Sequence, residues 1–279
     1  MAIRKQLTAL FVCFLATVAL GSLLPATAKA AESAPEELMV GNVTVDVMQD
    51  GYWMTDPATG ELTETQDSAT CNVRYVADES ALYLSDATIG KGAVSATGGT
   101  HSIYASSAAG VSLTIHLTGE NHLSSSVPIY ITSDSGKAEL NIVGDGILNA
   151  EGTAVGNGGI FLMSGGTASG GGSYLNITDG ADVVSNCSES TAVMFYARPG
   201  GEAILTVMDA SLTANGWYPG GEPRGIFFSR LGSGDTANFY LRLANNAVVR
   251  ANKVAILSGH TLKHQYNTAS GGMYFNGDA

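Results

Sequence analysis

The sequence predicts a right-handed parallel β-helix of about six rungs behind an N-terminal β cap. Three observations predict it: an apolar strand that returns about every 30 residues, turns rich in Asp, Asn or Gly behind each return, and no helical periodicity in the 279 residues. The first strand family reads Leu82-Tyr-Leu84, Leu113-Thr-Ile115, Leu140-Asn-Ile142, Leu175-Asn-Ile177, Leu205-Thr-Val207 and Leu241-Arg-Leu243. Its leading leucines are 31, 27, 35, 30 and 36 residues apart. The turns behind it carry Asp86, Gly119-Glu120-Asn121, Gly144-Asp145-Gly146, Asp179-Gly180, Asp209 and Asn245-Asn246. A second apolar piece follows each turn, at Ile89, Leu123, Ile147-Leu148, Val183-Val184, Leu212 and Val248-Val249. A third family lies at Ile103-Tyr-Ala105, Ile129-Tyr-Ile131, Ile160-Phe-Leu162, Met194-Phe-Tyr196, Ile226-Phe-Phe228 and Ala255-Ile-Leu257. One rung cannot bury its own inward face, whereas a stack buries it continuously. Gly and Asn at the corners accept φ > 0, and Asp suits tight bends. An antiparallel β-sandwich is the alternative, and the three-strand period stands against it.

In chain order, Arg4 and Lys5 precede an almost unbroken apolar run from Leu7 to Leu24, then Pro25 and Ala28-Lys29-Ala30. That order reads as a signal peptide over 1–30, cleaved after Ala30, with an uncleaved anchor as the alternative. Residues 31–80 fall outside the period. The alternating Met39–Val47, Tyr52-Trp53, the turn Asp56-Pro-Ala-Thr-Gly60 and Asn72-Val-Arg-Tyr75 read as a cap that protects unpaired edges. Residues 81–257 form the β-helix. The tail, 258–279, lacks a clear rung pattern and reads as a second cap or an incomplete one.

Composition narrows the partners. The formal charge is −12, from 13 Lys+Arg and 25 Asp+Glu. Residues 31–279 keep 10 bases against 25 acids, a charge of −15. Phosphate backbones and anionic lipid both require a basic footprint, so nucleic acid and stable membrane docking are excluded as expectations. Gly, at 35 residues, is roughly double its average share, yet the 45% apolar content suffices for a large core. Cys71 and Cys187 lie 116 residues apart with no zinc-site spacing, so a disulfide and two free thiols are both open.

The cap residues Tyr52-Trp53 and Asn72-Val-Arg-Tyr75, followed by Leu82–Ile89, Ile103-Tyr-Ala105 and Leu113–Asn121, resemble secreted or surface β-helix proteins of anaerobic bacteria. These are commonly labelled carbohydrate-binding domain proteins, and their fold is similar to that of pectate-lyase-type polysaccharide lyases. The resemblance spans roughly residues 40–250 and rests on structural motifs. It implies a polysaccharide or glycan partner. Relatives often end in a wall-sorting or membrane segment, and no such motif closes this chain.

Catalytic signals are sparse. Asp179 with Asp182, or Asp134 with Glu139, could serve a glycosidase, but turns and solvated surface explain such pairs in a chain with 25 acids. A lyase needs a base beside a calcium-binding acid cluster. Lys137, Arg198, Arg230 and Lys253 are candidate bases, and none sits in a motif with acids. His116 and His122 flank a turn, and His260 and His264 lie in the tail. No nucleophile elbow or phosphate loop occurs. The expectation is therefore a non-catalytic protein, with a polysaccharide lyase as an alternative and a structural stalk or host-protein adhesion module as another.

Binding has better candidates. If Ile103, Ile129, Ile160 and Ile226 point inward, alternation turns Tyr104, Tyr130, Phe161 and Phe227 outward as a ladder about 4.8 Å per rung. Stacked rings of that kind would form a platform for sugars; the competing expectation is that they lie under a loop or fill the core. Phe195 joins or breaks the ladder with a one-residue change of register. Trp217-Tyr218, in a Gly/Pro-rich loop, form a second candidate contact. Asp86, Asp145, Asp179 and Asp209 recur at corners. They read as Asx-turns that bind their own backbone, or as ligands for calcium between rungs; no other cofactor is expected. The expected location is outside the cell or on its surface.

Overall fold

The computed structural model describes residues 33–90, 92, 99–154, 158–165, 171–218, 222–230, 237–256, 261–268 and 272–275. The signal-like segment lies outside them. Residues 33 onward form one compact unit, and its parallel coils stack into a β-helix whose three sheets correspond to the three strand families. The first sheet stacks Ala81–Ser85, Val111–Thr118, Lys137–Val143, Gly172–Thr178, Glu202–Met208 and Asn238–Asn245 in parallel. Five turns of chain separate the first of these strands from the last. The second sheet stacks Thr88–Ile89, Glu120–Ser125, Ile147–Gly152, Asp182–Cys187, Ser211–Tyr218 and Val248–Ala251. The third stacks Ile103–Ser107, Ile129–Ser133, Ile160–Ser164, Val193–Ala197, Ile226–Arg230 and Val254–Ile256.

Pairing is in register down each stack. Leu113, Leu140, Leu175, Leu205 and Leu241 stand opposite one another. They point inward with Leu82 and, from the other sheets, Leu123, Leu148, Ile129 and Ile160 into one continuous apolar core. An inner aromatic stack fills the later coils: the Phe195 and Phe228 rings lie 4.8 Å apart and nearly parallel, and Phe239 tilts against Phe228 at 5.8 Å. Phe195 therefore breaks the predicted outer ladder, because Val193 and not Met194 pairs with Ile160.

The cap joins two sheet edges. Leu62–Glu64, Gly51–Thr55 and Val73–Val76 lie side by side in that order as an antiparallel sheet whose last strand pairs with Ala81–Ser85. The hairpin Glu37–Val40/Val43–Val45 covers the edge of the third sheet through Ile103–Ser107. Asn72 ties the cap sheet together: its Oδ1 accepts from the Thr55 N–H at 2.8 Å and its Nδ2 donates to Thr55 Oγ1 at 2.7 Å. At the other end the tail continues the coil. Leu262–Thr268 pairs in parallel with Asn238–Asn245, and Gly272–Phe275 with Val248–Ala251.

The corners between the first and second sheets explain the Asp, Asn and Gly pattern. Asp86, Asp179, Asp209 and Asn245 adopt positive φ, as does Gly119 at +65°. A Cβ on Gly119 would sit 2.0 Å from Asp86 Oδ1, so only glycine fits there. Asn121, fully buried, spans three coils. Its Oδ1 accepts from the Ala87 N–H at 3.0 Å, and its Nδ2 faces the Thr118 and Ile147 carbonyls at 3.1 and 3.2 Å.

Candidate functional site

The predicted aromatic ladder exists, but it is not a surface. Tyr104, Tyr130, Phe161, Met194 and Phe227 stand opposite one another on the outer face of the third sheet. Tyr104, Tyr130 and Phe161 are only 5%, 4% and 7% exposed. They pack with Met39, Val127 and Met194 into a second apolar cluster, separate from the interior core, and Ala154, Met163, Tyr196 and Phe227 lean on it. Tyr130 stacks on Phe161 at 4.9 Å. His101, itself buried, stacks on Tyr104 and contacts Tyr130, and its Nδ1 lies 3.2 Å from the Val127 carbonyl. Burial holds the His101 imidazole below its ordinary pKa of 6.5, so it is neutral at pH 7. Alternation gives the direction of these side chains correctly. The connections that enter the third sheet, carrying His101, Val127 and Ala154, then cover them.

Trp217 and Tyr218 lie on a hairpin that projects from the second sheet, where Ser211–Tyr218 turns back to pair with Glu222-Pro223. Trp217 is half-exposed. Tyr218 and Phe227 hold the Arg224 guanidinium between them, with ring distances of 4.3 and 4.7 Å, and Glu222 faces the same group at 3.9 Å. Tyr218 and Phe227 thus serve as walls for an arginine, while Trp217 keeps a face open.

The corner acids do not form Asx-turns closed on their own backbone at Asp86 and Asp209. Asp86 Oδ1 accepts from the Glu120 N–H at 2.9 Å, one coil onward. Asp209 Oδ1 accepts from Asn246 Nδ2 at 2.9 Å, again one coil onward. Asp179 accepts from the neighbouring Thr178 hydroxyl, and Asp145 is exposed. Among the described residues no three carboxylate, imidazole or thiol groups gather as a metal site, and of the four corner acids Asp86 and Asp209 act as coil-to-coil links. No disulfide joins Cys71 to Cys187, and burial pushes the Cys187 thiol up.

The aromatic surface that is open lies on the first sheet. Its outward residues run in straight rows across the coils. One row is Ser112, Glu139, Tyr174, Ile204, Tyr240 and Lys263; the next is Thr114, Asn141, Asn176, Thr206 and Arg242. Tyr174 and Tyr240 are half-buried and lie two rungs apart, about 10 Å. Ile204, between them, is covered. Lys137 Nζ sits 5.1 Å from the Tyr174 ring, and Arg242 and Lys263 sit 5.4 and 5.3 Å from the Tyr240 ring. Asn176 Nδ2 donates to Asn141 Oδ1 at 2.9 Å and to Glu139 Oε1 at 3.2 Å, which fixes the amides flat along the sheet. Burial, and then the Glu202 carboxylate 3.4 Å from its hydroxyl, push the Tyr174 pKa up to about 12. Its O–H therefore stays a donor through the whole neutral range.

A third row, Arg74, Tyr83 and His116, runs from the cap across the same face. Tyr83 and His116 stack at 4.3 Å with their planes 5° apart, and the Arg74 guanidinium lies 4.2 Å over Tyr83. The Tyr83 hydroxyl donates to Glu79 Oε2 at 2.5 Å. Sequence reasoning missed Tyr83, Tyr174 and Tyr240, although each is one residue from an inward leucine and the same alternation rule turns them outward.

Of the candidate bases, Lys137 stands on this open face beside the Glu139 row, and Arg198 lies on an exposed turn. His116 and His122 project from different sheets, and His122 pairs with Glu120 at 3.3 Å. Among the described residues no helix is long and apolar enough to cross a membrane. No family model matches the sequence, and no curated protein or solved structure matches it either.

Proposed function

We propose that this protein is a non-catalytic carbohydrate-binding protein of the cell exterior, an adhesion module that receives an extended glycan on the outer face of its first sheet. The observation that carries the reading is the pairing of two half-exposed tyrosines, Tyr174 and Tyr240, with a fixed row of amides, carboxylates and cations beside them. Ring faces pack against the C–H faces of pyranoses, while neighbouring Asn, Glu and Arg side chains exchange hydrogen bonds with hydroxyls. Tyr174 and Tyr240 sit two rungs apart on a flat sheet, which suits a ligand that repeats along a line. Pre-ordered side chains lose little entropy on binding, and the Asn176–Asn141–Glu139 contacts order them in advance. The signal-like sequence of residues 1–30 supports an exterior location.

The test is retention of the protein on insoluble plant, host and bacterial polysaccharides, beside a Tyr174→Ala/Tyr240→Ala variant. The reading expects retention of the wild type on at least one glycan, and at least ten-fold weaker retention of the folded variant. Wild type that passes through every glycan unretained overturns it in favour of a stalk or protein-adhesion role. A new ultraviolet-absorbing unsaturated product would instead identify a lyase.

A further inference from the structure

The joint between the cap and the first two coils holds a half-open pocket of about 190 Å³. Its wall comes from three chain segments. Ser68 and Cys71 come from the cap loop, Arg74 with Ser85 from the strands that join cap to coil, and His116 with Thr118 from the next coil. Its lining contains no Asp or Glu side chain among the described residues. Arg74 makes no ion pair among the described residues; only Glu120–His122 and Glu222–Arg224 do. Its guanidinium carbon lies 4.2 Å from the centre of the Tyr83 ring, which places the charge at the pocket wall, and a guanidinium carries five N–H donors. Glu79, whose carboxylate acts on His116 from outside the lining as Asp179 does, accepts from the Tyr83 hydroxyl.

We propose that this pocket binds a tetrahedral oxoanion, a sulfate or phosphate group, with Arg74 as its cation and the Ser68, Ser85 and Thr118 hydroxyls as further donors. Donor-bearing side chains that line one pocket from three segments suit a tetrahedral anion better than a planar carboxylate, which a guanidinium alone satisfies in one plane. The volume is several times the roughly 30 Å³ share of one water, so the anion fits with its ester-linked carbon or with hydration. This site does not rest on the glycan reading. Tyr174 and Tyr240 lie on other rows of the sheet.

The imidazole of His116 stacks on Tyr83 at the pocket wall and reports directly on occupancy. Purified protein is titrated with sodium sulfate, inorganic phosphate and a monosaccharide sulfate ester while the His116 ring resonances are followed. Sodium chloride at matched ionic strength and sodium acetate serve as controls. Saturable shifts with sulfate or phosphate, weakened at least ten-fold in Arg74→Gln and less in Arg74→Lys, support the site. Tighter binding of the ester identifies a sugar-borne anion, and tighter binding of the free ion an inorganic one. Tyr174→Ala/Tyr240→Ala leaves the sulfate titration unchanged, so failure of this site and failure of the glycan reading are told apart. Shifts that chloride reproduces, acetate binding tighter than sulfate, or an unaltered Arg74→Gln titration overturn the proposal.

Discussion

The outer faces of the third and first sheets both carry tyrosines one residue away from inward aliphatics, yet they are different surfaces. On the third sheet Tyr104 and Tyr130 are sealed beneath His101 and Val127; on the first, Tyr174 and Tyr240 stay half-open. The connections decide the difference. Between the first and second sheets the chain has only residues 86–87, 119, 144–146, 179–181, 209–210 and 246–247 in which to turn. Corners that short, pinned by Asp86, Asn121 and Asp209, cannot reach back over the sheet. The connections into the third sheet instead place His101, Val127 and Ala154 on the rings. Pointing outward and being exposed are separate properties, and the loops set the second.

Stability breaks the comparison most sharply. Phe161→Ala on the covered face costs about 3–5 kcal/mol, as for a core aromatic, whereas Tyr240→Ala on the open face changes stability by about 0.5 kcal/mol or less. Urea unfolding of the two variants measures this, and equal losses would erase the distinction between the faces. Next, Asn121→Ala strips partners from the buried Ala87 N–H and from the Thr118 and Ile147 carbonyls. It costs about 2–3 kcal/mol by leaving buried groups unpaired, again read by urea midpoint.

Acid sharpens the same contrast. Folding holds His101 below its ordinary 6.5. Its contribution to stability is therefore fully present above 6.5 and is lost as pH falls through its lower folded value. Between pH 7.5 and 5 the wild type loses more stability than His101→Gln does, and parallel pH profiles would contradict the buried neutral imidazole. The smallest effect is optical. Trp53, 6% exposed in the cap, resists acrylamide, while half-exposed Trp217 is quenched. Trp217→Phe should leave only protected emission.

Much of this was legible in the residues. The leucine triplets gave the coil and, from Leu113 onward, its register because Leu-x-Ile repeats at inward positions, whereas Leu82 pairs with Ile115, two residues out of the expected register; Asp, Asn and Gly marked the corners because the backbone there takes positive φ. The direction of Tyr104 and Tyr130 was legible too. Their cover was not, since it depends on the path of connections whose lengths change from coil to coil. The open row escaped notice for a different reason. Ser112, Glu139, Tyr174, Ile204 and Tyr240 share a position without sharing a chemistry, so no stripe appears in sequence. The tail was opaque because His264 and Tyr266 pair with Leu241 and Leu243, leaving no aliphatic triplet to read.

The most direct measurement is chemical modification of tyrosines in the folded protein, with and without a retained polysaccharide, mapped by mass spectrometry. The account predicts that Tyr83, Tyr174 and Tyr240 react while Tyr104 and Tyr130 do not, and that glycan protects Tyr174 and Tyr240. Reactive Tyr104 and Tyr130 that the glycan protects would contradict it and return the binding face to the third sheet.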